Sequence, residues 1–337
     1  MTQHRSARAA VFSAGSWGTA VAKILADAGS DVIVHARRSE IADGINQEHR
    51  NPGYFPDIAL PASLTATTDP AAALDGADYL VLSIPAQSLR TSLAAWAPHI
   101  GPDTVIVSLM KGIELGSGLR ASQVITEVTG VSEDRVAVLS GPNLAREIMA
   151  GQPAAATVAC LDEDTAQRVQ RACHTPYFRP YTSTDVTGCE LGGAVKNVIA
   201  LAVGIASGMG LGDNASAMLI TRGLAETTRL ATAMGAHPAT LAGLAGLGDL
   251  VATCSSPLSR NRTFGVHLGQ GLSVEQATAA TRQTTEGVKS AEAILDLARG
   301  HGVEMPITEV TSDLLHQKIS LDQAAAALMQ RPAKPER

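Results

Sequence analysis

Near the start of this chain stand a short apolar run (AAVFS, 9–13), a loop with two glycines (Ser13-Ala14-Gly15-Ser16-Trp17-Gly18), a helical stretch (19–28) closed by Gly29, and a second apolar run (DVIVHA, 31–36). Strand, helix and strand in so few residues leave little choice of connection. Parallel strands need a crossover, and a right-twisted strand feeding a right-handed helix returns to the sheet with one hand only. Three later runs, YLVLSI (79–84), TVIVSL (104–109) and VAVLS (136–140), are apolar almost throughout. Strands covered by helices on both faces read this way, whereas half-solvated strands alternate. The first half is therefore predicted to be a parallel, doubly wound α/β sheet.

Near residue 190 the texture changes. From there to about residue 328 the chain is rich in Ala, Leu and Gly, helical in pattern and poor in β-branched runs. Segments 243–249, 255–262 and 269–273 read as loops or turns between helices. The expected organisation is an α/β domain over 1–189, an all-helical domain over 190–330, and a flexible tail over 331–337. A length of 337 residues allows two separate cores. The net charge of −6 argues against a broad nucleic-acid surface, which needs many cations, but leaves room for a small anionic ligand met by a few local ones. Four cysteines stand far apart without a CxxC pair, and nine histidines form no HExxH arrangement, so no metal is expected. Isolated thiols suit a reducing cytosol. No run reaches the ~18 consecutive apolar residues of a membrane span, and the start does not read as a signal peptide. A cytoplasmic chain without membrane insertion is expected.

The loop between the first strand and helix lies where a dinucleotide fingerprint has mechanical meaning. Gly15 lets the backbone approach a pyrophosphate, Gly18 lets helix and strand pack closely, and the helix start offers N–H groups to phosphates. Ser13 stands where the first glycine of GxGxxG belongs, and a serine there is strained if φ must be positive. The plain alternative is a strand–helix turn without a ligand. Beyond the second strand come His35-Ala36-Arg37-Arg38 instead of the acid that takes ribose hydroxyls. Two guanidinium groups suit a 2′-phosphate. A Rossmann-like domain that prefers NADPH, with NADH possible, is thus expected; Arg38-Ser39-Glu40 also reads as a charged helix start. Among the histidines, His35 is placed near the adenosine pocket.

Further segments are GSWGTA (15–20), NPGYFPDIALP (51–61), SLMKGIE (108–114), SGPNLAREI (140–148), ELGGAVKNVIALA (190–202), ITRGLAE (220–226), GLAGLGDLVATC (243–254), SRNRTFG (259–265), EGVKS (286–290) and MPIT (305–308). In order and spacing, over nearly the whole chain, they resemble the bacterial NAD(P)-dependent glycerol-3-phosphate dehydrogenase family. The resemblance implies reversible reduction of dihydroxyacetone phosphate to sn-glycerol 3-phosphate, which supplies the backbone of glycerophospholipids.

It also implies roles. Lys196 matches the family's catalytic lysine, proton donor in reduction and base in oxidation; to do both near neutral pH its affinity for the proton must fall, through burial or a neighbouring cation. The alternative is a surface lysine, which sits poorly with neighbours Gly192, Gly193, Ala194 and Val195. Asp249 matches a substrate-contacting aspartate that also orients Lys196; the bland reading is a helix cap. Lys111, at the carboxyl end of a strand, matches a residue touching substrate and cofactor. Gly141 and Asn143 match substrate positions, although many relatives carry Ser or Thr at the second. Ser259, Arg260 and Asn261 match the glycerol phosphate contacts, with Arg260 also reaching the cofactor; alone, SRNR reads as a solvated loop. Gly15, Ser16, Trp17, Gly18, Arg37, Arg38, Ala145, Thr284 and Glu286 complete the expected cofactor set. Two alternatives stay open: a related β-hydroxyacid dehydrogenase acting on a carboxylate, and an NADPH-binding sensor with weakened catalysis. A homodimer is expected, because an Ala/Gly-rich helical domain leaves apolar surface to cover.

Overall fold

The structure, a computed structural model, describes residues 6–281 and 286–329, without the side chains of 286–289 and 329. Thr284 and the tail expected over 331–337 lie outside the described residues. The chain forms two compact units. One holds the chain up to Lys111 together with Leu119–Glu190; the other holds Gly112–Gly118 together with the chain from Leu191 on.

The first unit is a Rossmann-like α/β layer. Its strands are β1 (Arg8–Phe12), β2 (Asp31–His35), β3 (Leu64–Thr67), β4 (Tyr79–Leu82), β5 (Val105–Ser108), β6 (Val136–Ser140), β7 (Ala154–Ala159) and β8 (Phe178–Ser183). They stand in the order β3-β2-β1-β4-β5-β6-β7-β8. All neighbours are parallel except β6 and β7, which run antiparallel through Val138↔Ala159, Leu139↔Val158 and Ser140↔Thr157. The five strands expected to be parallel are so, and the antiparallel step comes with β7, where the chain returns from β6 without a full crossover. The five strands anticipated from apolar runs are present, each within two residues of the expected ends. They bury both faces, and Phe12 and Phe178 are fully covered, each contributing about 1.5–3 kcal/mol. Helix α1 (Ser16–Asp27) starts three residues earlier than expected, so Ser16, Trp17 and Gly18 form its first turn.

The second unit is built around residues 191–208 of the 23-residue helix Val186–Gly208. By length and hydropathy this helix is apolar enough to cross a membrane, but its apolar window is wholly buried inside the protein, so it serves as a core helix. Glycines let its neighbour come within backbone contact. A Cβ on Gly265 would lie 2.3 Å from the Leu201 carbonyl oxygen, so the helix Arg260–Gly269 packs this closely only because position 265 has no side chain. Segment 243–249 is helical rather than a loop, since Leu244–Gly248 is one wide helical turn running directly into the helix Asp249–Ser255; within 255–262 a turn over 256–259 does separate two helices, the second beginning at Arg260.

Glu226 is buried in this unit, where its carboxylate accepts the N–H groups of Ile307 (2.7 Å) and Thr308 (3.4 Å) at a helix start. Burial outweighs these contacts and pushes its carboxyl up to about 7. The folded protein then keeps a proton between about pH 4.5 and 7 that the unfolded chain has lost, so stability falls as pH rises through that window. Glu226→Gln should remove that loss, worth on the order of 3 kcal/mol. Urea unfolding at pH 5 and pH 8 should show the variant gaining on wild type only at the higher pH; an equal difference at both would refute the titration.

Candidate active site

In the first unit the expected residues follow the carboxyl ends of strands, where open α/β sheets bind ligands. Gly15 caps α1 in extended conformation with no side-chain cap, and the first turn carries no acid. Ser13 has φ 137, a conformation that strains a side chain. The loop cannot easily be otherwise: a Cβ at Gly18 would meet the Ser13 carbonyl oxygen at 2.1 Å. After β2, Arg37 and Arg38 are exposed, and Arg38 caps the helix Ser39–Glu48 with its guanidinium 3.3 Å from Glu40. After β5 and β6, Lys111 Nζ donates to the Gly141 carbonyl oxygen (3.0 Å). Asn143 follows at once, with neither of its buried side-chain polar atoms hydrogen-bonded; Trp17 Nε1 and Ser140 Oγ are likewise without partners. Ala145 begins the short helix Ala145–Met149.

His35, at the end of β2, is buried. Its ring stacks on Phe12 at 4.7 Å and meets the edge of Trp96 at 5.8 Å. Burial lowers its affinity for a proton.

In the second unit Lys196 and Asp249 are buried and paired: Lys196 Nζ donates to Asp249 Oδ1 and, at 2.7 Å, to Thr253 Oγ1, which itself lies 3.3 Å from the same carboxylate oxygen. Lys196 is therefore no surface lysine, and Asp249 is not the N-cap of its helix; Gly248 takes that position. A partner within bonding distance is a carboxylate. Gly192, one turn before Lys196, makes the pairing possible: a Cβ there would stand 2.4 Å from the Ala245 carbonyl oxygen, in the turn that delivers Asp249. Beside the pair, burial pushes the Cys254 thiol up to about 12, which keeps it an inert hydrophobe. Ser259 is buried and caps the helix Arg260–Gly269, accepting the Arg262 N–H (3.3 Å). Asn261 Nδ2 donates to Asn197 Oδ1 (3.0 Å), tying this helix to the residue after Lys196. Glu286 opens the helix Glu286–Gly300, its side chain outside the described residues. Among the described residues no group of three His, Cys, Asp or Glu is placed to share a metal ion.

Residues 8–166 match the family described as NAD-dependent glycerol-3-phosphate dehydrogenase N-terminus, and residues 185–326 match its C-terminus counterpart. A protein of Streptomyces griseus named glycerol-3-phosphate dehydrogenase (NAD(P)+) is 64% identical over 330 residues, 98% of either chain. The chain belongs to the NAD-dependent glycerol-3-phosphate dehydrogenase family. A Thermobifida fusca protein of the same name is 62% identical over 331 residues, again 98% of either chain. The crystal structure of glycerol-3-phosphate dehydrogenase from Coxiella burnetii is similar with a TM-score of 0.92 at 36% identity, covering 97% of this chain and 99% of that one.

Against that family background, two members of the buried cluster were not singled out in the sequence. Thr253 lies four residues after Asp249 on one helix face, a spacing that puts both side chains beside Lys196. Asn197 follows Lys196 directly, and only the fold reveals its contact with Asn261.

Removing one member of a buried pair leaves the other charge poorly compensated. Asp249→Ala should cost roughly 3–5 kcal/mol of stability, read from urea denaturation. Lys196→Met combined with Asp249→Leu should cost far less than the two single losses added together. Simple additivity would mean the charges do not depend on each other.

Proposed function

We propose that this chain interconverts dihydroxyacetone phosphate and sn-glycerol 3-phosphate with a nicotinamide cofactor. The buried Lys196–Asp249–Thr253 cluster carries the reading, in a chain 64% identical over nearly its whole length to a protein of that activity's name. Ketone reduction needs hydride at carbon and a proton at oxygen. When bound, the nicotinamide supplies the hydride or takes it back. The Lys196 ammonium is assigned to the substrate oxygen: it stabilises the negative charge that develops there and gives up its proton as the alcohol forms. In oxidation the neutral amine takes that proton from the hydroxyl. Asp249 aims the ammonium and offers its carboxylate to a substrate hydroxyl, while Thr253 fixes both.

Ser259, Arg260 and Asn261 are assigned to the phosphate, which a guanidinium meets with paired donors. Lys111, Gly141 and Asn143 are also assigned to the substrate. The dinucleotide falls to Gly15, Ser16, Trp17, Gly18, Arg37, Arg38, Lys111, Ala145, Arg260, Thr284 and Glu286. These residues suit it: the start of α1 carries no acid, Gly15 and Gly18 clear the approach, and Trp17 Nε1 and Asn143 hold unused hydrogen-bonding capacity. The exposed Arg37 and Arg38 support a preference for NADPH over NADH. Exposed Leu211, Met218, Leu247, Val251 and Leu258 in the second unit support a homodimer, and four buried, unpaired thiols support a cytoplasmic setting. The product would feed glycerophospholipid synthesis.

NADPH absorbance followed with dihydroxyacetone phosphate and with a panel of keto acids tests the substrate; faster turnover of a keto acid would overturn the assignment. Lys196→Met should lower kcat by about a hundred- to ten-thousand-fold while NADPH still binds, and near-wild-type turnover would remove the lysine from its role. Arg37→Ala with Arg38→Ala should raise the KM for NADPH about tenfold or more, one lost charge-assisted contact at the 2′-phosphate being worth that much. The KM for NADH should barely move; parallel losses would show that the arginines do not read the phosphate.

A further inference from the structure

Asn51 opens the segment NPGYFPDIALP and is fully buried. Its Nδ2 donates to the Ala14 carbonyl oxygen (2.9 Å) and to Thr19 Oγ1 (2.8 Å), and its Oδ1 accepts the Gly53 N–H (3.1 Å). The turn that carries it is itself fixed, because the Asn51 carbonyl takes the N–H groups of Tyr54 (3.3 Å) and Phe55 (2.9 Å) and Phe55 is buried. One rigidly mounted amide therefore grips both the loop after β1 and the first turns of α1.

What it grips is the segment around Ser13. A serine at φ 137 persists only where its surroundings over-determine it. On one side of Ser13 the Phe12 carbonyl is held by the Ser83 N–H (3.1 Å); on the other the Ala14 carbonyl is held by Asn51. Within the loop, Ser13 Oγ adds an acceptor for the Gly15 N–H (3.1 Å). A glycine in place of Ser13 would need no such restraint.

We propose that Asn51 is a positioning residue for the cofactor: through Ala14 it holds the Ser13–Gly18 loop in the conformation that receives the dinucleotide, a conformation Ser13 would otherwise leave. The proposal rests on the reading of that loop as the dinucleotide site. Fluorescence titration with NADPH of wild type, Asn51→Ala, Ser13→Gly and the double variant tests it. Asn51→Ala should weaken NADPH about tenfold, with kcat at saturating NADPH and the KM for dihydroxyacetone phosphate within about twofold of wild type. In the Ser13→Gly background the same change should cost about twofold or less, because the strain it restrains is gone. Asn51→Asp keeps the shape and the Gly53 contact but loses the donors, so it should repeat the loss even if Asn51→Ala folds poorly. Thr19→Val removes only the second acceptor and should bind like wild type. Unchanged affinity in both Asn51 variants, an equal factor in the two Ser13 backgrounds, or an equal loss in Thr19→Val would overturn the proposal. A wild-type protein that binds neither NADPH nor NADH would instead overturn the underlying reading, and the proposal with it.

Discussion

Taking one charge out of water costs several kcal/mol, and the second unit of this protein takes out two within bonding distance. Lys196 and Asp249 tolerate burial because each compensates the other and Thr253 satisfies further hydrogen-bonding capacity. That demand organises the elements around them. The backbone of the helix Val186–Gly208 comes close to the turn that carries Asp249, and Gly192 removes the one side chain that would prevent it. The neighbouring helix crosses the same core through Gly265, which brings Asn261 onto Asn197. An apolar helix with a lysine at its middle is thus a core element that carries one buried, paired charge.

The first unit meets a different constraint. Several residues assigned to ligands, among them Gly15, Lys111, Gly141 and Asn143, sit on loops after strands, and loops hold geometry less well than helices. Stiffness comes instead from short cross-links: Asn51 to Ala14, and Lys111 to Gly141. Unused hydrogen-bonding atoms on Trp17, Ser140 and Asn143 mark where the protein has left capacity unspent.

Strands with near-continuous apolar runs were readable because burial on both faces leaves an unmistakable pattern. The three overlooked strands each violate it for a physical reason. β3 is short and alternates; β7 is mostly alanine, which reads as helix; β8 contains Pro180 and exposes Arg179 and Tyr181, as an edge strand allows. Glycines at 243–248 suggested loops, since sequence does not distinguish a glycine that permits a turn from one that permits close approach. Lys196 and Asp249 were legible together through motifs that the family shares. Thr253 and Asn51 act through hydrogen bonds across space, which leave no local signature. The stacking of His35 on Phe12 and Trp96 was not legible, because those partners lie on other elements.

The segment Gly112–Gly118 belongs to the second unit although the first unit resumes after it. Ile113 is fully buried in the second unit's core, among residues such as Leu191, Val195 and Ile294. On the ribosome that isoleucine emerges long before the helices that cover it, and it waits uncovered while the rest of the α/β sheet is made. Gene fusion meets the same arrangement as a boundary problem. A transplanted piece starting at Leu191 would carry the lysine and the arginine but leave a hole where Ile113 belongs, so the helical unit is not a portable module.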